Sequence, residues 1–401
     1  MADRVQQRYD IVIVGGGIAG VTAARTIAES EASASTLLVS GEDRPPYKRT
    51  KISKNVASGF SRDAFAIEPS EWYADHGIDL LIGTTVDRID PTTHRVSLSD
   101  GRSVEYGAVI LATGGEAVRP AEADHPRVHT VHAADDVERL LASTTPSDEI
   151  LVVGMGVLGV ELAEQLALRG ARITLLGRSR VLMPRELNDE AAARLDRLFR
   201  DAGVALEYGS TLSHVSVGED GLEAMWRDRR HRFDHIIYSI GMRPAGTLAV
   251  KSGIPTATGI LVDHYLETGV AGIYAAGDVA EQHDGYRTHL WHAAEHQGEI
   301  AARNALGETV RFDRPNFRLK CEVFGHYFFS AGKPEDPSSY PTVEHDDGTR
   351  YLCFYLQNGT LAGMVMVDDK PNAKAYQRAV REGCDLETLR SEFLGSPSSA
   401  I

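Results

Sequence analysis

The stretch Tyr9-Asp-Ile-Val-Ile-Val-Gly-Gly-Gly-Ile-Ala-Gly20 decides the fold of this chain. Its continuous apolar run predicts a strand that is buried on both faces, as in a parallel sheet. Glycines end the strand, an Ala-rich helix follows to about Glu29, and a second strand is predicted over residues 36–40. The order strand, glycine turn, helix, strand predicts one half of an α/β nucleotide-binding unit.

Three glycines give this turn its chemistry. Gly15 permits the tight turn, Gly17 lets a pyrophosphate approach the backbone, and Gly20 lets the helix pack on the strand. The helix N-terminus, at Ile18 and Ala19, offers free N–H groups and the positive end of its dipole to the phosphates. The alternative is a glycine-rich turn without a ligand, and the strand-to-helix context disfavours it.

A second stretch, Glu149-Ile-Leu-Val-Val-Gly-Met-Gly-Val-Leu-Gly-Val-Glu161, repeats the pattern. A helix to about Arg169 and a strand over residues 172–176 follow it. The predicted nucleotide contacts of this copy are Gly154, Gly156, Val157, Leu158 and Gly159. Two such motifs, about one domain length apart, predict two dinucleotide sites in one chain.

The residues after the second strand of each copy differ in charge. Glu42 and Asp43 follow the strand of the first copy, and we expect Glu42 to accept hydrogen bonds from a ribose. The second copy has Gly177-Arg178-Ser179-Arg180 instead. Arg178 and Arg180 could bind a 2′-phosphate through charge-assisted bonds, which favours NADPH over NADH. The alternative is two solvated arginines at the tip of a loop.

The rest of the chain predicts an α/β protein with two Rossmann-like domains and a small α+β domain at its C-terminal end. Apolar strands over 107–115, 234–241 and 272–278, and a helix over 288–306, complete the two nucleotide-binding units. Beyond Phe312, short alternating strands flank Asn358-Gly359, which is a strong hairpin signal. We therefore predict one Rossmann-like domain from residues 1–120 and 250–311, a second from 121–249, and an α+β domain from 312–401.

Composition excludes several classes of function. The formal charge of −15 argues against a nucleic-acid partner, because phosphates would repel such a surface. No apolar run is long enough to span a membrane and no signal peptide is evident, so we expect a cytoplasmic protein. Cys321, Cys353 and Cys384 are far apart in sequence, so neither a metal site nor a redox dithiol is predicted.

At this point the residues resemble a known family. The glycine turns, Ala112-Thr-Gly-Gly115, Ile240-Gly-Met-Arg-Pro244 and Ala275-Ala-Gly-Asp278 are similar to the two-dinucleotide flavoproteins of the glutathione reductase superfamily. The segment Arg44-Pro-Pro-Tyr-Lys-Arg-Thr-Lys-Ile-Ser-Lys54 resembles rubredoxin and ferredoxin reductases and apoptosis-inducing factor. The segment Leu319–Gly332 resembles rubredoxin reductases and the flavin domain of NAD(P)H-nitrite reductases. The resemblance implies FAD in the first domain and NAD(P)H in the second.

The resemblance also implies roles for individual residues. Arg49 would face the FAD pyrophosphate, and Lys54, paired with Glu161, would reach the flavin ring and stabilise the negative charge that arrives there. Asp278 would bind the ribityl or phosphate region. Further implied contacts are Val86, Ala112, Thr113, Gly114, Arg119, Gly241, Gly277 and Trp291. Trp291 is equally well explained as a packed aromatic.

The sequence departs from the family pattern at two places, and the second weakens the assignment of a ferredoxin as the partner. Thr50-Lys51 replaces the family's proline at this point, and the third domain lacks the Trp-Ser-Asp-like segment of many ferredoxin reductases. Lys51, His289, His292 and His296 are candidates for substrate contacts, although histidines on a helix are more often ordinary polar residues.

The implied reaction is the transfer of hydride from NAD(P)H to FAD and of electrons from there to an acceptor. Without a dithiol, disulfide exchange is excluded, and a small iron–sulfur protein or rubredoxin is the expected acceptor. A reductase or oxidase for a small molecule or dioxygen is the second hypothesis. The third is a redox-sensing interaction protein. Whether the chain is a monomer or a homodimer stays open.

Overall fold

The fold is taken from a computed structural model and is described for residues 5–59, 64–120, 124–218, 221–316 and 318–394. The first third of the chain contains strands β1 (Arg8–Val14), β2 (Thr36–Ser40), β3 (Ile78–Ile82), β4 (Val86–Asp90), β5 (Arg95–Leu98), β6 (Ser103–Leu111), β7 (Gly115–Ala117) and β8 (Val128–Thr130). Its helices are α1 (Ile18–Glu29), α2 (Ser70–Asp75) and α3 (Ala134–Ser143).

The middle of the chain contains strands β9 (Glu149–Val153), β10 (Arg172–Leu176), β11 (Ala205–Glu207), β12 (His214–Gly218), β13 (Gly221–Trp226), β14 (Arg229–Phe233), β15 (His235–Tyr238) and β16 (Met242–Pro244). The strands that follow are β17 (Ile260–Val262), β18 (Ile273–Ala275) and β19 (Ala280–Gln282). The helices of this part are α4 (Val157–Leu168), α5 (Asp189–Asp201), α6 (Thr247–Lys251) and α7 (Trp291–Ala305).

The last part contains strands β20 (Arg318–Val323), β21 (His326–Ala331), β22 (Thr342–Asp346), β23 (Tyr351–Gln357) and β24 (Thr360–Val367). Helices α8 (Ala373–Glu382) and α9 (Leu386–Leu389) follow, and a short π-helical turn covers Arg390–Leu394.

Two sheets with parallel strands confirm the predicted α/β class. The first has the order β3-β2-β1-β6-β5-β4, and β18 adds to it by pairing with β6. The second has the order β11-β10-β9-β15-β8, and all its pairs are parallel. In each sheet the predicted glycine turn joins a central buried strand to a helix, so both turns lie at the carboxyl edge of a sheet, where nucleotides bind.

The last five strands form an antiparallel sheet of the order β20-β21-β24-β23-β22, with α8 packed against it. The predicted turn at Asn358-Gly359 joins β23 to β24, and both residues have positive φ, 52° and 82°. A two-residue turn of this kind matches the twist of the two strands. The expected α+β character of this part is therefore confirmed.

Three features of the fold differ from the prediction or were not predicted. The helix expected from Thr288 begins three residues later, at Trp291, because the Thr288 hydroxyl accepts a hydrogen bond from the Leu290 N–H and holds the chain in a non-helical turn. An antiparallel meander, β12-β13-β14, follows the second parallel sheet in sequence, and β16 pairs with β7 to form a small two-stranded ribbon.

The apolar core explains where the functional segments lie. One cluster surrounds the first parallel sheet. A second includes the second parallel sheet, one face of the antiparallel sheet, and Tyr47, Ile52 and Val56 from the segment that resembles flavin reductases. This segment is therefore held by burial between the later parts of the chain. No described helix has both the length and the hydrophobicity needed to cross a bilayer.

Two buried histidines link neighbouring strands of the second sheet. His129 on β8 and His235 on β15 have ring nitrogens 3.1 Å apart, and His235 is 3.6 Å from Asp148. Burial, and then the charge of His235, lowers the pKa of His129 to about 4 from its ordinary value of 6.5. Since the unfolded chain binds this proton more tightly, His129 stabilises the fold above about pH 6.5 and the benefit disappears as the pH falls towards 4.

We therefore expect the free energy of unfolding to fall by about 2 kcal/mol between pH 7 and pH 5 through His129 alone. Urea unfolding of the wild type and of His129→Gln at both pH values measures this contribution. The variant, which carries no titratable group at this position, should have the smaller pH dependence. An equal pH dependence in the two proteins would contradict the assignment to His129.

Candidate functional site

A cavity of about 1800 Å³ lies where the carboxyl edge of the first sheet meets α4 and the start of the antiparallel sheet. This volume exceeds the roughly 300–1,000 Å³ of ordinary small-ligand pockets, so it suits a dinucleotide together with a second ring system. Predicted site residues in its wall are Gly15, Gly17, Ile18, Ala19, Glu42, Arg49, Lys54, Val86, Ala112, Thr113, Gly114, Val157, Leu158, Glu161, Gly277, Asp278 and Trp291.

The first glycine turn has the geometry that a pyrophosphate site needs. Gly15 has φ +120°, and a Cβ there would lie 2.1 Å from the carbonyl oxygen of Ala112. A Cβ on Gly20 would lie 2.0 Å from the carbonyl oxygen of Gly15, so the helix packs directly on the turn. A Cβ on Gly17 would contact nothing within 4 Å, which leaves open space in front of the helix N-terminus. No side chain caps α1, so its first N–H groups are available to an anion.

The second glycine turn repeats this geometry. A Cβ on Gly154, at φ +124°, would lie 2.0 Å from the Ser239 carbonyl oxygen, and one on Gly159 would lie 1.9 Å from the Gly154 oxygen. A Cβ on Gly156 would again contact nothing within 4 Å, and α4 has no side-chain cap. The three glycines of the second turn thus have the same close approaches and the same open space as those of the first.

A polar network holds the acidic residue of the first copy. The carboxylate of Glu42 accepts a hydrogen bond of 2.8 Å from the Tyr47 hydroxyl and is ion-paired with Arg49. Arg49 also donates to the carbonyl oxygen of His132, at 3.1 Å. The Tyr47 hydroxyl accepts from the N–H of Ala134, the first residue of α3. The wall of the cavity beside Glu42 is therefore tied to both sheets.

Asp278 follows β18 and lies in the cavity wall without a hydrogen-bond or ion-pair partner among the described residues. Burial raises its pKa to about 6, while the charge of Arg49 opposes the shift. The neighbouring N–H of Gly277 donates a hydrogen bond of 2.8 Å to the side-chain oxygen of Gln297 on α7. A Cβ on Gly298, also on α7, would lie 2.2 Å from the carbonyl oxygen of Ala19 on α1. Close packing of α7 on α1 thus sets Asp278 opposite the first glycine turn, where it can bind a hydroxyl group of a ligand.

The predicted pair of Lys54 and Glu161 is present. The Lys54 ammonium nitrogen is 3.4 Å from a carboxylate oxygen of Glu161 and 3.2 Å from the carbonyl oxygen of Lys320. Glu161 lies on α4, directly after the second glycine turn, and its side chain is 5% exposed, whereas that of Lys54 is 36% exposed. A partly exposed cation anchored to a buried carboxylate can reach an electron-rich group in the cavity.

Other predicted residues lie outside the wall of this cavity. They are Gly20, Arg119, Gly154, Gly156, Gly159, Arg178, Arg180, Gly241, Lys51 and His296. His289 and His292 do line it, and Trp291 lies at the first turn of α7. His296 instead packs against Phe312, with ring centroids 5.5 Å apart.

Sequence reasoning missed several residues of the wall. Ser53 contacts Glu161, and Arg287 is held by the buried Glu281 at 3.0 Å. Lys333 donates to the carbonyl oxygens of Pro184 and Arg185, at 3.3 and 3.4 Å. Of these residues, only Ser53 could have been predicted from the sequence, because it stands next to Lys54 in the segment that resembles flavin reductases.

The loop after β10 carries exposed cations. Arg178 and Arg180 are exposed and make no ion pair or hydrogen bond within the described ranges. Gly177 directly follows β10, at the position where an NADH site usually has an acid that binds the ribose hydroxyls. A Cβ on Gly177 would lie 2.8 Å from the Met155 side chain, so this position is packed tightly.

The three cysteines are free thiols. Cys321 and Cys353 are buried, and burial raises the pKa of all three thiols. Thiols with a raised pKa are poor nucleophiles, because the thiolate is the reactive form.

Comparison with known proteins agrees with this geometry. Residues 9–298 match the family model described as pyridine nucleotide-disulphide oxidoreductase. The chain is 30% identical to the ferredoxin–NAD(+) reductase subunit of the benzene 1,2-dioxygenase system of Pseudomonas putida, over 89% of each chain. It is 27% identical to a nitrite reductase [NAD(P)H] of Bacillus subtilis, covering 96% of this chain and 49% of that protein.

Solved structures at lower identity support the fold. A ferredoxin reductase of Rhodopseudomonas palustris has a TM-score of 0.85 at 22% identity, covering 95% of this chain and 98% of that one. An engineered water-forming NADPH oxidase bound to NADPH has a TM-score of 0.85 at 19% identity, with 94% and 92% covered. The extent of the family match and the identity of the relatives confirm the resemblance that the sequence motifs indicated. The chain belongs to the pyridine nucleotide-disulphide oxidoreductase family and is an FAD-dependent NAD(P)H oxidoreductase.

Proposed function

We propose that this protein passes electrons from NADPH, through FAD, to a small iron–sulfur protein or rubredoxin. When bound, FAD supplies the ability to take two electrons together and release them singly. The observation that carries the proposal is the basic border of the cavity, on a chain whose formal charge is −15. The absence of a dithiol among the described cavity residues favours an acceptor other than a disulfide.

The basic border consists of Arg318, Lys320 and Lys374. Arg318 and Lys320 line the cavity, and Lys374 is the second residue of the nearby α8. Burial, and then the charges of Arg318 and Lys374, lowers the pKa of Lys320. A cluster of like charges attracts a surface of opposite charge, so an acidic electron carrier would be steered to this border.

The site residues divide between the two nucleotides. We infer that FAD lies along the first glycine turn, with Arg49 near its pyrophosphate, Glu42 at a ribose and Asp278 at a ribityl or phosphate oxygen. Lys54 stands at the ring end. The pairing of β18 with β6 supports an FAD-binding domain built from residues 1–120 and 250–311. Residues 121–249 would then bind NADPH at the second glycine turn, and residues 312–401 would border the acceptor.

Stopped-flow measurements test the acceptor. Protein reduced anaerobically by NADPH is mixed with a rubredoxin, with a [2Fe–2S] ferredoxin or with dioxygen. We expect one iron protein to reoxidise the flavin far faster than dioxygen does, with a rate that falls as ionic strength rises. Fast reoxidation by dioxygen with peroxide or water as product, and slow reaction with every iron protein, would favour the oxidase hypothesis instead. The likeness to a water-forming oxidase is the observation behind that second candidate.

The choice of NADPH rests on the loop after β10. The engineered NADPH oxidase carries changes of Asp to Ala, Ala to Arg and Met to Ser at three consecutive positions. This chain has Gly177-Arg178-Ser179, a non-acidic residue followed by the same Arg-Ser pair. The reductase subunit of the benzene dioxygenase system is described with NAD(+), so the two comparisons disagree, and the two arginines favour NADPH.

Replacing Arg178 and Arg180 together by Ala is expected to raise the KM for NADPH roughly tenfold or more and to leave the KM for NADH unchanged. The physical reason is the loss of charge-assisted bonds to the 2′-phosphate, which NADH lacks. The measurement is the rate of flavin reduction over a concentration series of each nucleotide. Arg172→Ala, at the other end of β10, is the matched control. Equal efficiency with both nucleotides in the wild type would refute the preference.

A further inference from the structure

The carboxylate of Glu161 is a meeting point of three separate parts of the chain. It lies on α4 and is buried. The Ser53 hydroxyl is 2.5 Å from its Oε2 atom. Its Oε1 atom is 3.4 Å from the Lys54 ammonium and 3.7 Å from the Cys321 sulfur on β20. A buried carboxylate needs such donors, because it cannot be hydrated.

The direction of the bond to Cys321 follows from its surroundings. Burial, and then the charge of Glu161, raises the pKa of the Cys321 thiol. The thiol therefore keeps its proton, and its S–H group can donate to the Glu161 oxygen. The other acidic group nearby, Glu164, has its own donors. It accepts one hydrogen bond of 2.5 Å from the Phe324 N–H and one of 3.2 Å from the Gln165 side-chain amide.

The geometry gives each donor a different task. Ser53 holds one carboxylate oxygen, and Cys321 holds the other on the side of the antiparallel sheet. Lys54 shares that second oxygen, and its ammonium also donates to the Lys320 carbonyl. If the Ser53 and Cys321 donors were removed, Lys54 alone would hold the Glu161 carboxylate. The carboxylate could then rotate, and the Lys54 ammonium could shift with it.

We propose that Ser53 and Cys321 are positioning residues, which hold the Glu161 carboxylate in the rotation that keeps the Lys54 ammonium at the cavity wall. This proposal rests on the proposed role of Lys54 beside the flavin. It assigns a task to a thiol that has no dithiol partner and is too buried to react. It also explains why a serine stands directly before the lysine: one turn of chain delivers a donor and a cation to the same carboxylate.

Infrared spectroscopy of the S–H stretch tests the contact without any catalytic assay. We expect the Cys321 band, identified by its loss in Cys321→Ala, to lie at the lower frequency of a hydrogen-bonded thiol. In Glu161→Gln it should move to higher frequency, because a neutral oxygen is a weaker acceptor. Cys353→Ala, which removes another buried thiol of the same sheet, is the control. A Cys321 band at the free-thiol frequency, or one unmoved in Glu161→Gln, overturns the proposal.

The midpoint potential of the bound flavin tests the consequence. Cys321→Ala and Ser53→Ala should each make it more negative and slow reduction by NADPH roughly tenfold, as expected for one hydrogen bond to a charged group. Cys321→Ser, which keeps a donor, should restore most of both values. The double variant should approach Lys54→Met.

The outcomes separate the two proposals. If the alanine variants lose thermal stability but keep the wild-type potential, Ser53 and Cys321 are merely structural and the positioning proposal fails. If Lys54→Met itself leaves the potential unchanged, the proposed role of Lys54 fails, whatever the infrared result.

Discussion

Replacing Gly17 by Asp is expected to yield a folded protein that no longer retains FAD. The backbone of Gly17, with φ −77° and ψ −178°, is extended and open to any residue, and its Cβ would meet nothing within 4 Å. Asp is also a favourable N-cap, so α1 should not be weakened. Its carboxylate, however, would occupy the space expected for the pyrophosphate. Juxtaposed like charges cost several kcal/mol, which corresponds to roughly a thousandfold weaker FAD binding.

The second glycine turn supplies the matched variant. Gly156 has nearly the same backbone, φ −81° and ψ −178°, and the same open space. Gly156→Asp should therefore keep its yellow colour but lose affinity for NADPH to a similar degree. The measurements are flavin absorbance after gel filtration, circular dichroism for the fold, and nucleotide titration. A Gly17→Asp protein that retains flavin with wild-type affinity would contradict the placement of the FAD pyrophosphate.

A variant at Gly15 should affect the stability of the fold, whereas the variants at Gly17 and Gly156 should affect only ligand binding. A Cβ at this position would lie 2.1 Å from a backbone oxygen, at φ +120°. Gly15→Ala should therefore lower the stability of the fold itself, which distinguishes loss of a ligand from loss of structure.

Replacing Lys54 by Met is expected to slow the reduction of bound flavin by NADPH by about 10²–10³-fold, the usual effect of removing one preorganised electrostatic group. The methionine keeps the length of the side chain but not its charge. It also leaves Glu161 without its cation, which should lower the free energy of unfolding by about 1 kcal/mol, because the Lys54 side chain is partly exposed and solvent screens the pair. The double variant Lys54→Met with Glu161→Gln should recover stability but not the rate.

Lys51 is the control for this experiment. It lies three residues before Lys54, is exposed and does not line the cavity. Lys51→Met should leave reduction by NADPH within about twofold of the wild type, since exposed charges interact weakly. A Lys54→Met variant as fast as Lys51→Met would show that the ammonium has no part in the reaction.

Local patterns explain what the sequence predicted well. A strand, three glycines at fixed spacing and a helix are contiguous, so the geometry of Gly15, Gly17 and Gly20 follows from the residues themselves. The duplicate turn doubled this signal. The hairpin at Asn358-Gly359 is a further case, because its positive φ angles depend only on two adjacent residues.

Contacts between distant residues are different. The pair of Lys54 and Glu161 was expected from the resemblance to flavin reductases and not from spacing, since 107 positions separate them. Cys321 lies 160 positions from Glu161, and no periodicity links them. The same holds for His129 and His235, which meet only because β8 and β15 are neighbours in the sheet. Such contacts depend on strand order, which local pattern does not encode.

The absorbance spectrum of the purified protein, taken before and after anaerobic addition of NADPH, tests the central claim most directly. Two glycine turns that serve FAD and NADPH predict flavin bands in the isolated or FAD-reconstituted protein, and their bleaching by one equivalent of NADPH. A folded protein that stays colourless after incubation with FAD, or flavin bands that NADPH and NADH both leave unchanged, would contradict it.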